Sequence, residues 1–272
     1  MGWIFGELTG WGAQGLVFAA VIAGALTFGS YYASDKIVLA ISHAKPVEKK
    51  DYPYLYNIVE GLAIAAGVPK PRCYVIDDSA PNAFASGRNP KNSVIVVTSG
   101  LLQKLNRAEL EGVIAHEMSH IKNYDVLVQT LAVVMVGVVA LLSDWTLRTF
   151  IWGRGRGRSR GKSSGNATAV FVVVALVLAL LSPLIAQLLK LSISRKREFL
   201  ADANGALLTR YPPGLASALK KLAADKEPLE AANKATAHMY IINPLKDLKG
   251  KVNKLFSTHP PIEERIAALE KM

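Results

Sequence analysis

The chain reads as an α+β membrane protein, mostly helical with one small β-sheet, and three observations predict that class. Apolar residues fill 51% of its 272 positions, and the mean hydropathy of +0.24 is too high for an average water-soluble domain. Three long apolar runs are separated by polar sequence with helical periodicity. The stretch from residue 73 to 98 is instead rich in β-branched residues and turn formers.

The first run, "AQGLVFAAVIAGALTFGSYYA" from Ala13 to Ala33, carries no charge and is long enough to cross a bilayer. The preceding "MGWIFGELTGWG" contains no Lys or Arg, which favours a retained signal anchor over a cleaved signal peptide. Residues 1–45 are thus expected to be an N-terminal membrane anchor. Residues 46–125 read as water-soluble structure, with a helix over "YPYLYNIVEGLAIAAGV" and a strand in "CYVID". "NAFASG" and "SVIVVT" flank the turn-forming "RNPKN" and predict a hairpin. A helix follows over "NRAELEGVIAHEMSHIKN", with Asn106 as N-cap and Leu110, Val113, Ile114, Met118 and Ile121 at helical spacing.

Residues 126–190 are expected to form a transmembrane hairpin. Its first arm, Val126 to Leu142, begins almost without a break after that helix and ends in "SDWTLRTFIW", where Trp145, Phe150 and Trp152 suit an aromatic belt. The second arm, Ala167 to Leu189, contains Pro183, which kinks a membrane helix without excluding it. Residues 191–272 return to water and read mostly as helix, opening with "SISRKREFLADANGALL".

The formal net charge is +11, and five of its positive charges sit in "GRGRGRSRGK" between the hairpin arms. That loop has no interleaved aromatic residues, so anionic lipid headgroups fit it better than nucleic acid, and no nucleic-acid partner is expected. Cys73 is the sole cysteine, which excludes an internal disulfide framework.

The chemistry-bearing motif is "HEMSH". On a helix, His116 and His120 lie one turn apart on one face and can present two ring nitrogens to one metal ion, while Glu117 stands about 100° around the axis as a general base. Catalytic zinc takes three protein ligands and leaves a position for water. Glu198 in "REFLADANGA" is the candidate third ligand, and Asp202, one turn later, is the candidate orienter of a ligand histidine. The bland alternatives are an amphipathic helix with surface histidines and a solvated acidic face beside "SRKR". His43 and His238 have no partner visible in sequence and are not taken as ligands.

Five motifs in order, "NAFASG" at Asn82, "HEMSHIKNYD" at His116, "REFLADANGA" at Arg197, "AHMYIINPL" at Ala237 and "FSTHPPIEERIAAL" at Phe256, span the chain nearly end to end. In them the chain resembles the HtpX-type membrane zinc metallopeptidases, relatives of the CaaX prenyl proteases. The resemblance implies a gluzincin-like zinc peptidase domain with one Zn2+ per chain, bound by His116, His120 and Glu198, with Glu117 as the base that activates water for attack on a peptide carbonyl. It also implies that "NAFASG" is an edge strand on which an extended substrate pairs, with Asn82 and Ala83 as backbone candidates. His259 or Arg265 is the candidate donor to the tetrahedral oxyanion. One departure stands out: two N-terminal spans are expected in such proteins, and one is visible before His43.

Both ligand motifs must reach one metal, so the hairpin returns to the side it left. Lys36, Lys45, Lys49, Lys50, Lys190, Arg195, Lys196 and Arg197 flank the catalytic side, while Arg154, Arg156, Arg158, Arg160 and Lys162 mark the opposite one. The positive-inside count narrowly favours the catalytic side, and the resemblance also puts it in the cytoplasm of a multi-pass protein of the cell membrane. A hairpin that dips in without fully crossing is the alternative. The expected substrates are misfolded or damaged membrane proteins or unfolded polypeptides, with other membrane quality-control proteases as further partners. The competing reading is a membrane scaffold or chaperone-like binder whose zinc site is structural or inactive. An intact Glu117 argues against it, because structural zinc sites are closed by four protein ligands and need no base. A zinc transporter is disfavoured by the scarcity of polar residues inside the runs.

Overall fold

The computed structural model describes residues 29, 31–136, 195–225, 227–230, 236–242 and 260–272. Residues 34–133 with 188–272 make one compact unit, and residues 1–33 with 134–187 belong to another. All elements below belong to the first. Among the described residues no helix is long and apolar enough to cross a membrane. The expected spans at 13–33 and 167–189 fall outside the described residues apart from Gly29 and 31–33, as do the basic loop and His259. Of the run at 126–142, residues 126–136 are described and helical.

The unit is mostly helical with a small mixed sheet, as its sequence predicts. Strands β1 (Lys45–Pro46), β2 (Arg72–Ile76), β3 (Ala83–Asn89) and β4 (Asn92–Thr98) lie in the order β1-β2-β4-β3. β2 runs parallel to β4, and β3 pairs antiparallel to β4 across the short turn at Pro90–Lys91, with a register shift between Gly87 and Asn89. Side chains alternate between two cores, as a strand's period of two requires. Ala83, Ala85, Ile95, Val97, Cys73 and Val75 face the larger core. Phe84, Val94, Val96 and Ile76 face a smaller one, closed by Val38, Leu39, Met239 and Tyr240.

Helix α1 (Pro53–Ala66) begins with proline in its first turn and stops at Gly67, which takes the left-handed conformation at φ 69°. A one-turn helix α2 (Ser99–Lys104) leads from β4 to helix α3 (Arg107–Lys122). The Asn106 side chain caps α3 by accepting from Glu109 N–H, and Glu109 returns the bond to the Asn106 N–H, completing a capping box. From Leu110 to Ile121 every residue of α3 except Glu111 is buried, so this is the central helix rather than a surface amphipathic one. Helices α4 (Arg195–Thr209), α5 (Pro212–Ala224) and α6 (Ile262–Leu269) pack around it or on one another.

Two glycines set how closely those helices approach. A Cβ on Gly112 of α3 would lie 2.7 Å from the Leu215 backbone nitrogen of α5. One on Gly205 of α4 would lie 3.1 Å from the His116 backbone nitrogen. α4 thereby comes near enough to deliver Glu198 and Asp202, which share a face with Gly205, to the histidines of α3.

The near-continuous helix expected through Val126 is broken. α3 ends at Lys122, Tyr124 takes a left-handed backbone at φ 60°, and residues 125–136 start a new helical stretch. In an unbroken helix, Asp125 would sit about 140° around the axis from His120. The turn brings it back instead.

Candidate metal centre

His116, Glu117 and His120 come from the buried middle of α3, Glu198 and Asp202 from α4, and Arg265 from α6; all six are at most 4% exposed. His116 Nε2 lies 3.2 Å from His120 Nε2 and 3.8 Å from Glu198 Oε2, while His120 Nε2 lies 3.5 Å from Glu198 Oε1. Four tetrahedral ligand atoms about 2.0–2.1 Å from a zinc ion stand about 3.3–3.4 Å from one another, so the three observed spacings suit that polyhedron. Among the described residues this is the one group of three such side chains with ligand atoms close enough to hold an ion.

The other ring nitrogens show why a cation fits. His116 Nδ1 is 2.9 Å from Asp202 Oδ1, and His120 Nδ1 is 3.0 Å from Asp125 Oδ2. A carboxylate only accepts, so each Nδ1 carries the hydrogen and each Nε2 is left with a lone pair. Two lone pairs facing one another across 3.2 Å, with a carboxylate oxygen beside them, make a place for positive charge. In the metal-free protein their surroundings push the two rings in opposite directions. Burial pushes His116 down to about 4, with Arg265 adding to the effect against the pull of Asp202. Burial would also lower His120, but its bond to Asp125 and the charges of Glu198 and Glu117 outweigh that and hold it at about 9.

Glu117 points elsewhere. Its carboxylate accepts from the backbone N–H of Ala85 in β3. Burial raises its pKa to about 7, with Glu198 adding to the rise against His120, the Ala85 bond and Arg265. A carboxylate poised near neutrality is suited to take up and return a proton.

Arg265 lies behind His116. Its Nε donates to Asp202 Oδ2 at 2.8 Å and one terminal nitrogen to Oδ1 at 2.7 Å, a two-pronged pair, while the other donates to the Ile241 carbonyl at 3.1 Å. Burial alone would raise Asp202, yet the Arg265 charge and hydrogen bonds, with that of His116, hold it at about 2.

At the start of β3, Asn82 N–H donates to Thr98 Oγ1 and its carbonyl accepts from Thr98 N–H, while its side-chain amide donates to the Ile242 carbonyl. The Ala83 carbonyl accepts from Ile241 N–H, and Ala83 N–H donates to the Asn82 side chain. β3 is the last strand in the sheet order, and its Gly87 N–H donates to Thr130 Oγ1.

Sequence reasoning did not single out Asp125, Arg197, Ala85 or Ile241. Asp125 stands in "HIKNYD", but its approach depends on the turn at Tyr124, which no residue pattern announced. Arg197, whose terminal nitrogen is 2.5 Å from Asp125 Oδ1, read as one charge in a basic run.

Two histidines one turn apart, a glutamate from a second helix and a buried carboxylate at the adjacent strand define a candidate mononuclear metal centre with a general base. The chain belongs to peptidase family M48, whose profile matches residues 49–272. Membership makes it a peptidase of a metal-dependent class, the metal typically being zinc. The Protease HtpX homolog of Dictyoglomus turgidum is 51% identical over 261 residues, 96% of this chain and 83% of that one. The Protease HtpX homolog of Caldanaerobacter subterraneus is 46% identical over 272 residues, 100% of this chain and 89% of its own. The crystal structure of S. mikatae Ste24p aligns with 94% of this chain and 65% of that chain, at 19% identity and a TM-score of 0.45.

Proposed function

We propose that the protein is a membrane-integrated, zinc-dependent endopeptidase with His116, His120 and Glu198 as zinc ligands, Glu117 as general base and acid, and Asp202 as orienter of His116. The observation that carries the reading is the convergence of two Nε2 lone pairs and a Glu198 oxygen within 3.2–3.8 Å of one another. Zinc held there supplies a Lewis acid that polarises a carbonyl and makes water nucleophilic near neutral pH. Glu117 then takes the proton of the attacking water and passes it to the leaving amine. Asp202 and Asp125 keep the two imidazoles in the tautomer that presents Nε2. Arg265 serves from behind Asp202 instead of donating to an oxyanion, which leaves His259 as the candidate donor. The backbone groups of Asn82 and Ala83 are already bonded to Thr98, Ile241 and the Asn82 side chain, so an extended substrate segment pairing with edge strand β3 has to displace those partners or pair beyond them.

The charge-free apolar run at 13–33 and those at 126–142 and 167–189 support a multi-pass protein of the cell membrane, with the peptidase unit in the cytoplasm. Close sequence linkage of both ligand motifs to the hairpin makes misfolded membrane proteins and unfolded polypeptides the natural substrates, a quality-control role. The purified protein in detergent is expected to cleave an unfolded membrane protein, and Glu117→Gln to lose at least about 100-fold in turnover while retaining one zinc per chain. Comparable turnover in the two, with metal content measured in parallel, would sink the mechanism. In cells, single cysteines replacing Lys122 and Arg195 in a Cys73→Ser background should both label from the cytoplasmic side. Labelling from opposite sides is incompatible with a shared metal.

A further inference from the structure

We infer that Arg265 is a positioning residue for the metal centre, and that its two-pronged grip on Asp202 is what keeps His116 aligned; this rests on the zinc reading above. Arg265 is 1% exposed and the largest fully buried side chain among the described residues. By sequence Arg265 is, with His259, a candidate donor to the oxyanion, yet each hydrogen bond it donates goes to Asp202 or Ile241. Nε and one terminal nitrogen hold both oxygens of Asp202, at 2.8 and 2.7 Å. The same Asp202 Oδ1 lies 2.9 Å from His116 Nδ1. A carboxylate gripped at both oxygens cannot rotate about its last bond, so the oxygen that meets His116 is fixed in direction as well as charge. The imidazole plane, and with it the line along which Nε2 offers its lone pair, follows.

The third nitrogen extends the arrangement. It donates to the Ile241 carbonyl and stands 3.6 Å from Glu198 Oε2, while Ile241 N–H donates to the Ala83 carbonyl at the start of β3. One guanidinium therefore ties together the His116 orienter, the candidate third ligand and the segment clamped to the edge strand. The C-terminal helix α6, remote in sequence from "HEMSH", becomes part of the metal centre. A lysine has neither the fork nor the planarity to make these three bonds at once.

The test is zinc affinity, read by competition with a chromophoric chelator, alongside thermal unfolding of the zinc-free protein. R265K, which keeps the charge, is expected to bind zinc about 10-fold more weakly, the lower edge of the usual effect of losing an outer partner of a ligand. The double variant D202N/R265M removes both charges of the Asp202–Arg265 pair and supplies a second comparison, expected to be about 10- to 100-fold weaker than wild type. In D202N alone the orienter is already weakened, so adding R265M should cost little more, a strongly non-additive cycle. Wild-type affinity in R265K overturns the inference whatever the double variant does, since the effect then belongs to Asp202 alone. Wild-type affinity in the double variant, or additive losses, overturns it equally. Absence of zinc binding in the wild type would sink the parent reading, and this one with it.

Discussion

The two histidines of the centre are each backed by a carboxylate and an arginine, yet the two arms are built differently. Behind His116, Asp202 and Arg265 are both 1% exposed and joined by two hydrogen bonds. Behind His120, Asp125 is 7% exposed, and its Arg197 partner reaches it through one nitrogen with 40% of its side chain in water. The chemistry offered to the metal is the same, an Nδ1–H held by a carboxylate. What differs is what happens when the arm is cut. Arg197 can return to water. Arg265 has nowhere to go, so the inner arm bears on stability as well as on ligand geometry.

The largest expected effect follows from that contrast. Asp202→Ala should weaken zinc binding about 10- to 100-fold and also destabilise the zinc-free protein by about 3–5 kcal/mol, because a charged guanidinium is left buried without its partner. Asp125→Ala should weaken zinc binding over the same range but cost about 1–2 kcal/mol in stability. Urea unfolding together with chelator competition separates the two quantities. Equal stability losses in the two variants would break the contrast.

The inner arm also has a pH signature. The Asp202 carboxyl is held in the folded state at about 2, below the ordinary aspartate value of about 3.9. A depressed carboxylate stabilises the fold fully above its unfolded pKa and loses that contribution as pH falls through its folded pKa. The stability gap between zinc-free wild type and Asp202→Asn should therefore hold steady down to about pH 4 and narrow between about pH 4 and 2. A gap that already closed between pH 7 and 5 would place the stabilisation on some other group.

The smallest effect belongs to the outer arm's arginine. Arg197→Ala should change stability by about 1 kcal/mol or less, with the difference shrinking in added salt, as a pair open to water does. Zinc affinity should move less than in Asp125→Ala, since the Asp125 bond to His120 survives. A loss as large as that of Asp125→Ala would show the outer arm to depend on its arginine as much as the inner one does.

Much of the fold was legible because it depends on neighbours in the chain. The β-branched stretch and its Pro-containing turn became β3 and β4, the Asn106 cap formed, and the spacing of His116 and His120 put their rings together. Less legible was anything set by contacts distant in sequence. The apolar periodicity of α3 suggested one buried face, whereas α4, α5 and the sheet bury it nearly all round. Arg265, in a stretch that reads as an ordinary helix start, gave no sign that it would be fully buried. Asp125 looked like the entry to an apolar run until Tyr124 turned the chain.

By itself, the sequence determined the local half of the centre: two imidazoles one helical turn apart, a carboxylate beside them, and Glu198, Asp202 and Gly205 on one face of a second helix. Those relations follow from 3.6 residues per turn and need no third dimension beyond the helix. Tertiary structure alone decided which ring nitrogen faces the metal position, which carboxylate stands behind each histidine, and that Arg265 looks inward. Such choices depend on how closely two helices approach, here as near as Gly205 allows, and on whether a charge ends in water or in the core. A distance between elements and a degree of burial are properties of packing, and no residue carries them until its neighbours are in place.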